Sequence, residues 1–270
     1  MPELPEVESV ARQLRPRLVG RRIADVRVDP QARFTDIHRA VGSGITALRR
    51  RGKYLLADLD APRTPARELV MHLGMTGAFR FRDDDWVPDA YVRATFTLDD
   101  GVLDFRDVRR FGRLTVVDAG DHAGIATLAH MGPEPLGPDF EPVRFHAALR
   151  RSRMTVKAQL LSQRPVAGVG NIYADEALWL AGINPRARRI GPERAARLWS
   201  AIRQVLTDAI EREGTTFRDY QMVNGQSGRN ATFLIAYGQE GRPCPRCGTA
   251  LRKVDVAGRG TTYCPRCQRV

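Results

Sequence analysis

The chain has 270 residues, 43% of them hydrophobic, with 43 lysines and arginines against 31 aspartates and glutamates and a formal net charge of +12. Its length is enough to bury a substantial core in two domains or in one domain with an appendage, while no apolar run reaches membrane-helix length and the N-terminus lacks the basic and apolar regions of a secretory signal. The charge points to a polyanionic partner, nucleic acid before membrane surface because no strongly basic amphipathic anchor helix is present, so a cytoplasmic nucleic-acid-binding protein is the expectation.

The first predicted element is a helix entered through Met1-Pro2-Glu3-Leu4-Pro5-Glu6. Pro5 suits a first turn, Glu6 and Glu8 complement the positive helix end, and Val7, Val10, Ala11, Leu14 and Leu18 recur at helical spacing. Removal of Met1 before a small residue leaves Pro2 as a free secondary amine. With an α-amino pKa of about 7.7–8.0, roughly a tenth of such groups are neutral at pH 7, whereas a lysine is almost wholly protonated. A secondary amine condensed with an aldehyde-like carbon stays a cationic iminium, an electron sink for eliminations. Glu3 stands beside it as a general acid if burial raises its pKa. A Pro-rich acidic start is also an ordinary helix entrance, so the weight falls on the rest of the chain.

From there to about residue 135 the pattern is β-rich. Ile23 to Val28, Tyr54 to Leu59, Leu69 to Leu73 and Arg113 to Val117 read as strands, and Ala94 to Leu98 alternates before Asp99-Asp100-Gly101, a hairpin signal leading into Val102 to Phe105. Short strands with such turns predict a sandwich or barrel. Met131 to Pro138, with three prolines and two glycines, reads as a linker. Beyond it Phe145 to Arg150, Val156 to Ser162, Ile172 to Ala181 and Pro192 to Arg212 read as helices, the last stopped by Gly214, and Thr215 to Asn230 is polar and glycine-punctuated.

Cys244-x2-Cys247 and Cys264-x2-Cys267 have zinc-ribbon spacing. Two thiolate turns complete a closed tetrahedron, so one structural zinc is expected; a pair of disulfides is the alternative, disfavoured without an export signal. Seven basic residues and one acid between Arg242 and Val270 suit phosphate contact. Gly168-Val169-Gly170-Asn171 before a helix offers backbone N–H groups to a phosphate with Asn171 as N-cap, or is only a turn. Of the basic residues only Lys53, Lys157 and Lys253 are lysines, which marks each as a candidate for work that guanidinium cannot do.

Pro2-Glu3-Leu4-Pro5-Glu6-Val7, Arg51-Gly52-Lys53-Tyr54-Leu55, His72-Leu73-Gly74-Met75-Thr76-Gly77, Arg109-Arg110-Phe111-Gly112, Gly168 to Ala174 and the cysteine hairpin together resemble bacterial formamidopyrimidine-DNA glycosylases over essentially the whole chain. Leu4 favours that branch over endonuclease VIII relatives, which usually carry glycine there. The resemblance implies an α+β fold: an N-terminal β-sandwich with flanking helices (1–131), a linker (132–144), a helix-two-turn-helix domain with a lesion-capping loop (145–235) and a zinc β-hairpin (236–270), with DNA in the cleft between the halves.

By the same resemblance, such enzymes act as monomers on duplex DNA containing oxidised purines or abasic sites. They flip the damaged base out, because its target atoms are inaccessible in the stack, break the glycosidic bond, and cut the strand on both sides of the sugar by β,δ-elimination. Matching positions give Pro2 as nucleophile, Glu3 as acid on the sugar, Lys53 as acid/base group and Arg259 at a phosphate beside the flipped nucleotide. Arg153, Lys157, Asn171 and Tyr237 contact DNA, with Lys157 and Asn171 gripping phosphates. Met75, Arg109 and Phe111 fill the space the base leaves. Outside this context Met75 and Phe111 read as core residues and Lys53 as a solvated strand lysine. Two departures stand out: Gln226 occupies a capping-loop position where some relatives carry a charge, and no histidine is found near Asp89-Ala90-Tyr91 where some relatives use one on DNA. The rivals are an enzyme of the same fold for oxidised pyrimidines and a non-catalytic zinc-dependent nucleic-acid-binding protein; the latter needs none of Pro2, Glu3 and Lys53.

Overall fold

In the computed structural model, which describes residues 1–60, 65–82, 87–216 and 221–269, the chain divides into two units. The first is Met1–Ala129 with Arg212–Arg229; the second is His130–Glu211 with Asn230–Val270.

The first unit begins with helix α1 (Leu4–Leu18) and continues through strands β1 (Ile23–Val28), β2 (Phe34–Thr35), β3 (Gly44–Arg51), β4 (Tyr54–Asp60), β5 (Arg67–His72), β6 (Ala78–Phe81), β7 (Val92–Leu98), β8 (Gly101–Arg106) and β9 (Arg113–Asp118), with a short helix α2 (Ala126–Ala129). One sheet runs β1-β7-β8-β6 and the other β2-β9-β5-β4-β3. The Asp99-Asp100 signal closes the β7–β8 hairpin, with Leu98 paired to Gly101. Val7, Val10, Leu14 and Leu18 of α1 share one core with Leu48, Leu55 and Met71 of the five-stranded sheet and Phe79, Phe96 and Phe105 of the four-stranded sheet. This is the expected sandwich with a flanking helix. Full burial of each such Leu or Phe contributes about 1.5–3 kcal/mol.

Strands β2, β3 and β6 went unread in the sequence. Ala78-Phe79-Arg80-Phe81 is buried at every position, Arg80 included, because its guanidinium donates to the Met222 carbonyl and, at 2.6 Å, to Gln221 Oε1. That contact belongs to a second departure. Residues 212–229, expected with the helical domain, belong to the first unit, where Met222 and Val223 enter the core. Part of the loop expected over 215–230, residues 217–220, lies outside the described residues.

The second unit holds α3 (Pro142–Arg150), α4 (Val156–Leu161), α5 (Asn171–Ala181), α6 (Pro192–Glu211) and the hairpin β10 (Arg252–Val256) and β11 (Arg259–Tyr263). Ala195, Leu198, Ile202, Leu206, Ala209 and Ile210 form the buried face of α6. The two turns joining α4 to α5 hang on Gln163, at φ +63°, whose amide donates to the Val169 carbonyl at 2.6 Å and accepts the Gly168 N–H at 2.7 Å. Among the described residues no helix is long and apolar enough to cross a membrane.

Candidate active site

The N-terminal turn faces inward. Pro2 is buried, and Glu3, 2% exposed, is the N-cap of α1 in a capping box with Glu6. The Glu6 carboxylate does more than cap. Its Oε2 accepts the Glu3 N–H at 2.7 Å while its Oε1 accepts the Thr215 N–H at 2.7 Å, so one buried side chain joins the first turn to a segment 209 residues away. Gly214, at φ +82°, lies so close that a Cβ there would sit 2.8 Å from Glu6 Oε1 and 3.2 Å from its Cα.

Lys53 is buried in the β3–β4 turn, behind Gly52 at φ +56°. Arg50 fastens that turn to α1, donating from Nε to Glu8 at 2.8 Å and from a terminal nitrogen to the Gly52 carbonyl at 3.2 Å. Burial works against the Glu8 carboxylate, yet Arg50 and Arg12 hold its pKa below the usual range.

Leading out of β5, His72 Nδ1 accepts the Gly74 N–H at 3.1 Å, and its ring lies 4.8 Å from that of Tyr54. Burial first, then the charges of Lys53 and Arg113, push His72 down to about 4, so it is a neutral acceptor at working pH. The following Met75 is half-buried. Arg109 and Phe111 are exposed on the β8–β9 connection, with the guanidinium 4.8 Å from the ring centroid, and Phe111 leaves 43% of its surface to solvent. Thus the three residues expected to fill a vacated stack are brought to two loops that touch: a Cβ on Gly74 would lie 2.5 Å from Gly112 N and from the Phe111 carbonyl carbon.

In the second unit two expectations are corrected. Lys157 is not on the surface; both it and Asp175 are fully buried, with Nζ 2.6 Å from Asp175 Oδ1 and 2.7 Å from Thr261 Oγ1. Burial pushes the Asp175 carboxyl up to about 6 against the pull of Lys157 and of the Thr262 N–H, which it accepts at 2.9 Å. A phosphate cannot reach an ammonium so enclosed. Lys157 instead pins α4 and α5 to strand β11. The N-cap of α5 is Gly170, not Asn171, which is the first helical residue and donates from Nδ2 to the Gly260 carbonyl at 3.1 Å.

Arg259, at the start of β11, and Arg153, just before α4, are exposed. Arg259 is presented by a two-residue turn with Ala257 at φ +54° and Gly258 at φ +71°, the combination that matches hairpin twist. Tyr237 is half-buried. Its N–H, with those of Ile235 and Ala236, donates to the buried Glu176 carboxylate at 2.8–3.0 Å. Desolvation raises the Glu176 pKa, and these three N–H groups oppose it. Gln226 is exposed in a self-bonded loop, its carbonyl accepting the Met222 N–H and its own N–H donating to Asn224.

The four cysteines are free thiols whose sulfurs all lie within 4.8 Å of one another, with Cys244 Sγ 4.0 Å from Cys267 Sγ and Cys247 Sγ 3.5 Å from Cys264 Sγ. Tetrahedral zinc with Zn–S near 2.3 Å requires sulfurs about 3.8 Å apart, so the set fits one ion with no position left for substrate. Four thiolates at this spacing repel one another, and a divalent cation among them offsets that repulsion; desolvation and then the neighbouring thiols raise the Cys267 pKa. Trp179, Ala236 and Leu251 pack behind the cysteines, and Arg246 lies 4.1 Å over the Trp179 ring while donating to the Trp179 and Leu180 carbonyls.

Glu6 was read only as a complement to the positive helix end, and Thr76, Asp107, Asp175 and Glu176 escaped sequence reasoning. The signal for the last two was available: adjacent carboxylates inside an otherwise apolar helix, Ile172-Tyr173-Ala174-Asp175-Glu176-Ala177-Leu178-Trp179, have no solvated face and must find partners.

Three family models match the chain: the formamidopyrimidine-DNA glycosylase N-terminal domain over residues 1–114, the formamidopyrimidine-DNA glycosylase H2TH domain over 131–221, and the zinc finger found in FPG and IleRS over 241–270. The formamidopyrimidine-DNA glycosylase of Deinococcus radiodurans is 43% identical over 278 residues, 99% of this chain and 97% of that protein. The crystal structure of the MutM (Fpg) protein from Thermus thermophilus matches with a TM-score of 0.91 at 44% identity, covering 99% of this chain and 98% of that one. A Lactococcus lactis FPG mutant in complex with Fapy-dG containing DNA matches at 0.89 and 35% identity over the whole of both chains. The Lactococcus lactis Fpg with an abasic site containing DNA matches at 0.88 and 34%, covering 99% of this chain and all of that one.

Proposed function

The chain belongs to the formamidopyrimidine-DNA glycosylase family, bifunctional DNA glycosylases and AP lyases of base-excision repair that remove oxidised purines, and we propose that its chemistry is carried by Pro2, Glu3 and Lys53 of the first unit. Relatives for oxidised pyrimidines are not favoured by these matches. With Met1 removed, the Pro2 nitrogen attacks C1′ of the damaged nucleotide as the base departs with a proton. Glu3 protonates the sugar ring oxygen as the C1′–O bond opens, leaving an iminium on Pro2. Loss of a C2′ proton then expels the 3′ phosphate, and a second elimination expels the 5′ phosphate. Lys53 exchanges protons in the first elimination.

The observation that supports this assignment most directly is the inward-facing first turn, where Pro2 and the adjacent Glu3 are both buried and the Glu3 N–H is held by the Glu6 carboxylate. Zinc, held by Cys244, Cys247, Cys264 and Cys267, keeps the hairpin folded and presents Arg259; we read Arg153, Arg259, Asn171 and Tyr237 as DNA contacts of the second unit. Met75, Arg109 and Phe111 are read as the groups that enter the stack. The enzyme is proposed to act on duplex DNA as a monomer in the cytoplasm.

Borohydride added during turnover of an 8-oxoguanine duplex should trap a protein–DNA adduct whose peptide map places the DNA on Pro2. An adduct on Lys53, with Pro2→Gly fully active, would refute the assignment.

A further inference from the structure

Asp107 is 1% exposed, and no step of the chemistry uses it. Its Oδ1 accepts the Thr76 hydroxyl and, at 3.3 Å, the Arg109 N–H; its Oδ2 accepts the Gly112 N–H at 2.6 Å. The same Thr76 oxygen accepts the Arg109 N–H at 3.0 Å. The Asp107 carbonyl is held in turn by Arg93 Nε at 2.9 Å, and Arg93 is anchored on Asp29, also at 2.9 Å. One carboxylate and one hydroxyl thereby close a ring of hydrogen bonds around both loops, at residues adjacent in sequence to Met75 and flanking Arg109 and Phe111.

Sterics reinforce the ring. Gly74 packs against the Phe111–Gly112 backbone with no room for a Cβ, and a Cβ on Gly112 would meet Phe105 at 2.6 Å and Asp107 Oδ2 at 2.9 Å. The tips of the loops are free to contact a partner, while their bases are locked.

We propose that Asp107 and Thr76 are positioning residues for base extrusion: they weld the Met75 loop to the Arg109–Phe111 loop so that the three side chains enter the duplex as one rigid unit. The proposal rests on the reading of those three residues as the stack-filling groups. A thioether, a guanidinium and an aromatic ring on independent loops would each lose conformational freedom on insertion; with the bases fixed, that ordering is complete before DNA arrives. Removing the weld therefore penalises the step that opens the duplex, and spares bond cleavage on a sugar that carries no base.

The test compares single-turnover excision from an 8-oxoguanine duplex with strand cleavage at a pre-formed abasic site in the same sequence, for wild type, Thr76→Val, Thr76→Ser and Met75→Ala. Thr76→Val keeps shape and removes the hydroxyl, leaving part of a buried carboxylate unpaired, and should slow excision about tenfold or more while abasic-site cleavage changes by less than about threefold. Thr76→Ser should restore excision. A 2-aminopurine placed beside the lesion should brighten more slowly with Thr76→Val than with wild type, which a change in overall stability would not produce. Equal losses on both substrates, or none, with Met75→Ala still selective for excision, would overturn the positioning role alone. Equal losses for Met75→Ala would remove the stack-filling reading and this proposal with it. Should Thr76→Val fail to fold, Asp107→Asn carries the same comparison, since it keeps the volume and one acceptor.

Discussion

Replacing Lys157 by methionine separates a buried pin from a phosphate clamp. Both partners of the Lys157–Asp175 pair are fully enclosed, so the variant leaves a carboxylate among apolar neighbours with only the Thr262 N–H to solvate it. Breaking a buried pair from one side costs about 3–5 kcal/mol. Asp175 is already pushed up to about 6; without the ammonium it rises further. Its folded-state pKa then stands well above the unfolded value, the folded state binds more protons, and part of the lost stability returns as pH falls toward 6. Urea unfolding followed by tryptophan fluorescence should show that loss at pH 8 and its partial recovery at pH 6. The double variant Lys157→Met, Asp175→Leu should recover most of the folding free energy, because an apolar pair of similar volume removes the stranded charge. DNA affinity should fall in both, since Thr261 loses the lysine bond that helps seat β11 and Arg259, and further in the double variant, where Thr262 also loses its Asp175 acceptor. Affinity measured across salt concentrations reads the alternative directly: a clamp contributes about 0.9 to the slope of log K against log salt. Unchanged stability in Lys157→Met together with a slope reduced by that amount would refute the pin.

Further outcomes follow from the other sites. Lys53→Arg keeps the charge but cannot release a proton near neutral pH, so processing of an oxidised purine should slow by about tenfold or more in single-turnover kinetics with little change in melting temperature. Purified protein should contain one zinc per chain by elemental analysis, and Cys247→Ser or prolonged chelation should lower DNA affinity while the first unit keeps its folding transition. His72 has a folded pKa near 4 against about 6.5 unfolded, so the unfolded chain binds more protons between those values. Its contribution is full above pH 6.5 and is lost as pH falls through 4, so the stability difference between wild type and His72→Gln should shrink by up to about 3 kcal/mol between pH 7 and pH 4.

Much of the architecture was legible because it is written in period and punctuation. β1 begins and ends at the predicted residues, Asp99-Asp100 closes the β7–β8 hairpin, and the cysteine spacing brings four sulfurs together. What escaped lies where burial and polarity part company. β6 was hidden by Arg80 and β3 by three terminal arginines, Arg49, Arg50 and Arg51, whose charges are matched by Glu68, Asp58 and Glu8 or lie at the turn. Lys157 was assigned to a phosphate by resemblance and by the scarcity of lysines, and only the fold reveals that Asp175 and Thr261 already satisfy its ammonium. Asp107 and the contact of Glu6 with Thr215 could not be found by pattern, because most of these partners are backbone N–H groups, which every residue but proline carries.

The composition of the first unit from two separated stretches has a consequence for the order of events during synthesis. Its core includes Met222 and Val223, and its first turn is held by the Thr215 N–H, yet some 80 residues of the second unit are made between Ala129 and Arg212. At about 5–20 residues per second, the ribosome delivers the closing segment roughly 5–20 seconds after β9 is complete. During that interval the sheets can pair, but the site around Glu6 waits, and the closure it needs is among the longest-range contacts in the chain. Pro2 is therefore among the first residues made and among the last to acquire its setting.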